Sequence, residues 1–397
     1  VLPRIEAEFG EWPAGTAPPP TPGKVEPFDV AERLGVRLSP IRVGAVAFRT
    51  VPESHPDYAA LKIARGLLTN DQRSGFIDRL SDDGKMLLAM HVPADFADHN
   101  VDVVAYVPRL ITQSFRGAEK LVRKQFRRIA EGDFDEATLD ALRTGLLVEE
   151  SLAWEDNHQR ALAIGHAFVA HGGWQGRLDY LERLRKLDKA EVMRVASDLF
   201  DDRYLRVRSR MGVVRKQRLD KPKTPPVKAR PGAHSKFFAR VQGNSGRPAK
   251  IAWVDPAKDL RQVEVAPGVE MVASTNPFND IYTLELRFGV GTDRIRELDL
   301  LAHYLGRVGT TTHEGKRFFD ALARTSTTLS ATAELDRFVV TLQGPEQHMD
   351  AALELLGELM SAPKLTRKPL RQVRREVWGY RRIERKDALN VGRALKE

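Results

Sequence analysis

The run IYTLELRFGV at residues 281–290 alternates along almost its whole length. Tyr282, Leu284, Leu286, Phe288 and Val290 fall on one face, and Thr283, Glu285 and Arg287 on the other. A period of two is the mark of a strand with one face in a core and one in water. The stretch that follows, LDLLAHYLGRVGT at 298–310, changes to helical spacing, with Leu301, Tyr304, Leu305 and Val308 on one side. A half-buried strand feeding an amphipathic helix calls for a sheet that carries helices on one face.

The same order occurs twice. In the first occurrence a strand candidate at 43–48 is followed by helices at 57–68 and 75–80. Strands at 85–92 and 101–107 come next, then helices at 114–131 and 135–152. In the second, strand 281–290 leads to helices 297–308 and 314–324, strands 327–332 and 338–343, and helices 347–362 and from 369 onward. The repeat of about 130 residues is too long for a solenoid. The fold class expected is α+β: tandem domains, each a mainly antiparallel sheet with helices packed on one face. Between the two lie helices at 157–169 and 178–184, a capping-box helix opened by Asp188 and Glu191, and an alternating strand at 204–211. That strand sets Leu205, Val207, Ser209 and Met211 against Arg206, Arg208 and Arg210, and the arginine side is expected to be solvated.

Composition narrows the class further. With 397 residues, 42% hydrophobic and 29% charged, the chain suits a globular protein of two or three domains. There is no cysteine, which excludes disulfides, thiolate metal sites and cysteine nucleophiles and leaves the compartment open. No apolar run approaches the ~20 residues that span a bilayer. The formal charge of +9 is concentrated in a Lys-, Pro- and Gly-rich segment at 215–250. Only Phe237 and Phe238 follow its basic run, so it reads as a linker rather than a nucleic-acid surface. Residues 1–12 read as the end of a helix, and Pro18, Pro19 and Pro20 as a hinge. The expected division is therefore 1–24, the tail of an upstream domain with its hinge; 25–214, a first full domain; 215–250, a basic linker; and 251–397, an incomplete further domain.

Four segments in this order resemble the insulinase/pitrilysin family of zinc metallopeptidases, which includes the mitochondrial processing peptidases. They are IEAEFGEWPAG with the prolines after it, HPDYAALKIARGLLTNDQRSGFIDRL, FDEATLDALRTGLLVEESLAWEDNHQRA and LRKLDKAEVMRVASDLF. In the second occurrence, APGVEMVASTNPFNDIYTLELRFGVGTD resembles the hairpin and strand that precede the family's zinc helix. LAHYLGRVGT then takes the place of that helix, whose form is H-x-x-E-H followed by G-T. The resemblance implies zinc peptidase chemistry in the parent protein.

In such a helix two imidazoles four residues apart reach one zinc, and the glutamate beside the second histidine acts as base on the metal-bound water. Here His303 matches the first histidine, but Gly306 stands at the glutamate and Arg307 at the second histidine. A guanidinium offers no lone pair and repels a dication. The third ligand should fall in RREVWGYRRIERKD, where Glu376 and Glu384 lie among four arginines. His313-Glu314 begins an H-E-x-x-H pattern that Arg317 breaks, and His158, His166 and His171 form no pair four residues apart. Neither a G-x-S-x-G nor a Walker-type glycine loop is present.

The expectation is thus a chain without catalytic residues and without its own metal or cofactor, zinc being expected in the parent or partner domain. It would form part of a peptide-binding chamber for proteolysis by an upstream zinc domain, with peptide or unfolded protein as substrate. The alternative is an inactive homologue acting as a structural or partner-binding subunit.

Overall fold

The computed structural model describes residues 2–13, 15, 28, 30–39, 42–70, 73–96, 98–109, 112–211, 232, 234–243 and 253–384. The proline hinge and most of the basic linker lie outside them. After α1 (Leu2–Phe9), five strands make the larger sheet: β1 (Glu32–Ser39), β2 (Val43–Thr50), β3 (Leu88–Asp95), β4 (Asn100–Val107) and β5 (Leu205–Met211). Their order is β1-β5-β2-β4-β3, antiparallel throughout except for the parallel pair β1 and β5. Strand β1, ERLGVRLS, is not among the strands expected, although Leu34, Val36 and Leu38 alternate with Arg33, Gly35 and Arg37.

Seven helices accompany this sheet: α2 (Tyr58–Leu68), α3 (Asp78–Asp82), α4 (Phe115–Ala130), α5 (Glu136–Ala153), α6 (Asn157–Ala170), α7 (Trp174–Lys186) and α8 (Lys189–Leu199). Side-chain caps set several starts. Ser114, Asp135, Asp156 and Asp188 each accept from the backbone N–H three residues on, which satisfies a donor that has no partner within the helix. The core lies between sheet and helices. Phe48 of β2 meets Phe126 of α4 at 4.7 Å and Phe200 at 5.3 Å, amid Leu61, Ile63, Val122 and Val195.

Strand β4 departs from a simple apolar alternation. Its inward positions are Asn100, Asp102, Val104 and Tyr106, so a carboxylate with no solvent exposure sits in the core. The arginine side of β5 is also not the solvated face expected. Arg206 Nε donates to Glu119 Oε1 at 2.7 Å and Arg208 to Glu119 Oε2 at 3.0 Å. Glu119 is itself buried on α4 and accepts from the Tyr204 hydroxyl at 2.9 Å. One internal carboxylate on the covering helix thus holds Arg206 and Arg208 half-buried, while Arg210 stays exposed as expected.

Two short helices, α9 (Lys236–Gln242) and α10 (Pro256–Asp259), follow, so part of the segment expected to be linker is helical. A hairpin of β6 (Arg261–Ala266) and β7 (Val269–Ala273) turns at Gly268, whose φ of 74° suits glycine. The second main sheet has the order β10-β11-β8, from β8 (Ile281–Phe288), β10 (Thr328–Ala333) and β11 (Phe338–Pro345), all antiparallel. Between and after these come α11 (Leu298–Leu305), β9 (Gly309–Thr310), α12 (Lys316–Arg324), α13 (Met349–Ser361), β12 (Pro363–Lys364) and α14 (Arg367–Glu384), with β9 pairing β12. A separate hydrophobic cluster, with Phe318, Val340, Leu342, Leu356 and Val373, holds this part together. The whole is α+β, as the sequence implied. Among the described residues no helix is long and apolar enough to cross a membrane.

Candidate functional site

The stretch 298–310, which resembles a zinc helix in sequence, is shorter than its spacing suggests. Helix α11 ends at Leu305, and Gly306 caps it with φ −65° and ψ 6°. The chain then tightens, Arg307 N donating to Tyr304 O at 2.9 Å and Val308 N to Leu305 O at 3.3 Å. Gly306 therefore both lacks the carboxylate and closes the helix, so Arg307 lies beyond the helical face on which a second imidazole would be needed. His303 is 54% exposed, its Nε2 3.9 Å from Asp299 Oδ1. Tyr304 and Val308 pack inward as expected, whereas Leu301 remains 37% exposed. The Tyr304 hydroxyl ties the helix to the start of α14, donating to Thr366 O at 2.9 Å and accepting from Thr366 N at 2.8 Å. The side chains of Glu376 and Glu384, the positions named for a third ligand, lie outside the described residues.

His313 is engaged elsewhere. Its Nδ1 is 2.9 Å from Glu358 Oε2, and its backbone N–H donates to Thr310 Oγ1 at 2.8 Å. The His313 hydrogen bond outweighs partial desolvation and holds the Glu358 carboxyl below its usual range, with Thr310 assisting. Together these contacts fasten the GT turn after α11 to α13.

Gly306 opens on a cavity of about 1300 Å³ between the two sheets and their helices. One wall carries Arg65, His91 and Asp95; the other carries Asp320 and Arg324 of α12 and Thr328, Leu329 and Ser330 of β10. Strand β10 is an edge strand, paired in its sheet only with β11. The rim is joined by polar contacts. Arg79 donates to Asp320 at 2.8 Å, Arg324 to Asp135 at 2.9 Å, and Ser326 Oγ to Ala141 O at 3.1 Å. Farther along, Asn276 and Asn279 both donate to Glu155 Oε1, at 3.0 and 2.8 Å. Most of the lining charges answer one another, so the basic surplus of the chain is not focused here.

The deepest polar group on that wall centres on Asp102. Arg65 grips it twice, Nε to Oδ1 at 2.8 Å and a terminal nitrogen to Oδ2 at 3.0 Å, and also reaches Asp95 at 2.9 Å. His91 Nε2 lies 2.7 Å from Asp102 Oδ1, and Thr50 donates to Oδ2 at 2.7 Å. Burial pushes the Asp102 carboxyl up, but the hydrogen bond with His91 and the Arg65 guanidinium hold it below the usual carboxylate range. The group orders the wall around a fixed internal charge.

The histidines that sequence spacing set aside include a pair that the fold unites. His166 and His171, from the end of α6, both face the Glu53 carboxylate in the loop after β2. Glu53 is too remote in sequence for any spacing rule to find it.

Residues 1–146 match the family described as the peptidase M16 inactive domain. No match to a curated protein is found. Among solved structures, similarity extends to a protease from Helicobacter pylori at 19% identity and TM-score 0.48, covering 53% of this chain and 51% of that one. It extends also to a peptidase M16 inactive domain from Pseudomonas fluorescens at 15% identity and TM-score 0.40, covering 49% and 47%. The periplasmic protease PqqL from Escherichia coli is similar at 9% identity and TM-score 0.39, covering 97% of this chain and 46% of that one. The chain thus matches about half the length of each of these proteins. Over residues 1–146 the family match bears out the resemblance read from the sequence, to the M16 peptidases and to their inactive domain.

Proposed function

We propose that this chain is a non-catalytic portion of a zinc metallopeptidase of the M16 type, and that its cavity holds part of a peptide or unfolded-protein substrate for an upstream zinc domain. The division proposed with it is 25–214 as the inactive second domain and 251–397 as a further domain with a degenerate zinc helix. Two separate hydrophobic clusters support that division. The observation that carries the reading is the cavity itself. It is large, it is lined by the edge strand β10, and Gly306 faces it where a catalytic helix would present its glutamate. An edge strand with unpaired backbone groups suits an extended peptide, which adds to it by main-chain hydrogen bonds. Zinc would belong to the upstream domain, with Gly306 and Arg307 removing it from α11.

A Cβ added at Gly306 meets nothing within 4 Å, so Gly306→Trp can place its side chain from that wall into part of the cavity. Binding of a fluorescein-labelled unstructured peptide, followed by anisotropy, is expected to weaken at least tenfold in this variant. The wild-type chain alone should hydrolyse none of it, and cleavage should appear when the upstream zinc domain is supplied. Hydrolysis by the purified chain alone, or peptide binding indifferent to Gly306→Trp, would overturn the reading.

A further inference from the structure

We propose that Glu53, His166 and His171 form a binding site for a divalent transition metal, Zn²⁺ being the ion whose chemistry they match best. The site is separate from α11. It departs from the expectation that this chain holds no metal, and it leaves the reading of the degenerate helix untouched.

The argument begins with distances. Glu53 Oε2 lies 3.5 Å from His166 Nε2 and 3.4 Å from His171 Nε2, and the three ligand atoms fall within 4.8 Å of one another. A direct N–H···O bond sits near about 2.9 Å. Bonds of about 2.0–2.1 Å from one zinc to nitrogen and oxygen place tetrahedral neighbours about 3.3–3.4 Å apart. Both approaches to Oε2 fit the edge of such a tetrahedron better than they fit hydrogen bonds.

The donor set and its setting agree with this. Two imidazoles and a carboxylate are the three-ligand pattern that leaves a fourth zinc position to water. Burial is graded accordingly: the His171 side chain is 3% exposed, Glu53 11% and His166 53%. The buried pair gives a fixed base and the exposed imidazole an entry path. Orientation is also built in. The Tyr58 hydroxyl donates to Glu53 Oε1 at 3.1 Å, which leaves Oε2 turned to the histidines. His171 caps α6, its N–H bonded to Ala167 O at 3.0 Å, and the two imidazole rings stand edge to face with centroids 6.0 Å apart. Tyr180 packs on His171 at 5.5 Å.

Charge does not oppose a dication here. The nearby guanidinium of Arg177 is taken up by Glu150, at 3.0 Å from Nε and 2.6 Å from a terminal nitrogen. That pair cancels and leaves the Glu53 carboxylate for the metal. Bound metal would pin the loop between β2 and α2 to the end of α6.

Titration of Zn²⁺ into the full chain by calorimetry, with Co²⁺ absorption as a geometric probe, tests the site. The expected result is saturable binding of one equivalent and a tetrahedral cobalt spectrum. His166→Ala and Glu53→Gln should each lower the affinity at least tenfold, while His303→Ala and His313→Ala leave it unchanged. His166 is half exposed, so the metal-free His166→Ala protein should melt as the wild type does, and Glu53→Gln keeps the shape of the side chain it replaces. Absence of saturable binding in the wild type, binding that survives both His166→Ala and Glu53→Gln, or binding lost with His303→Ala would overturn the proposal.

Discussion

Helices α2 and α11 occupy the same place in the order of elements, each following a strand of its sheet and preceding a shorter or companion helix. They end up in opposite states. Nearly all of α2 is buried, including Arg65, and it is covered by α4, α5, α7 and α8. Helix α11 buries Leu298 and Tyr304, packs against β10 and α14, and stops at a glycine on the cavity wall. The strand-to-helix geometry is shared; the number of covering helices is not. A guanidinium can be held inside the protein only where charged and hydrogen-bonding partners replace water, and α2 has them in Asp102 and Asp95. Among the described residues the second cluster is smaller, and of the α11 side chains His303 stays exposed and Asp299 half-exposed.

The largest effect expected from this contrast comes from removing the carboxylate on which Arg65 depends. Asp102→Ala leaves a guanidinium only 7% exposed without its main partner, and should cost about 3–5 kcal/mol in urea unfolding. A loss near that of an exposed ion pair would show that water reaches the wall and that the two helices differ less than their burial suggests.

A smaller effect follows from acid. The Asp102 carboxyl is held below its unfolded value of about 3.9, so its stabilisation is present above that pH and fades as pH falls through the lower folded value. Unfolding midpoints measured from pH 5 downward should therefore drop more steeply for the wild type than for Asp102→Asn, where that contribution is missing. Parallel curves would assign the acid sensitivity to other carboxylates.

The smallest effect, of opposite sign, is expected at α11. Gly306 has an ordinary φ of −65° and open space around its Cβ position, so Gly306→Ala should stabilise the chain by about 0.4–1 kcal/mol through the unfolded state. A destabilisation there would mean that the helix end needs glycine for its turn, and that α11 is as tightly specified as α2.

Much of the architecture was legible because it is local. The periodicity of 281–290, the helices expected at 114–131 and 135–152, the capping box at Asp188 and the hairpin turn at Gly268 all became elements close to their expected places. The match to M16 inactive domains agrees with motifs quoted from the same sequence. Two of the misses arise from partners remote in sequence and one from a local glycine. Strand β1 finds its partner in β5, which lies far along the chain from it. Two arginines of β5 are half-buried because Glu119 on α4 receives them. The spacing at α11 suggested a longer helix, which Gly306 shortened.

At the sites the division is sharper. The sequence by itself determined that Gly306 and Arg307 offer neither a carboxylate nor an imidazole, whatever the fold around them. It could not determine that Asp102 meets Arg65 and His91, that Gly306 opens on a cavity bounded by a distant helix, or that Glu53 faces His166 and His171. Periodicity and capping arise within one element, from backbone geometry that each stretch carries with it. Contacts between remote side chains arise from how elements pack, and there a rotation of a few tens of degrees separates a site from a surface.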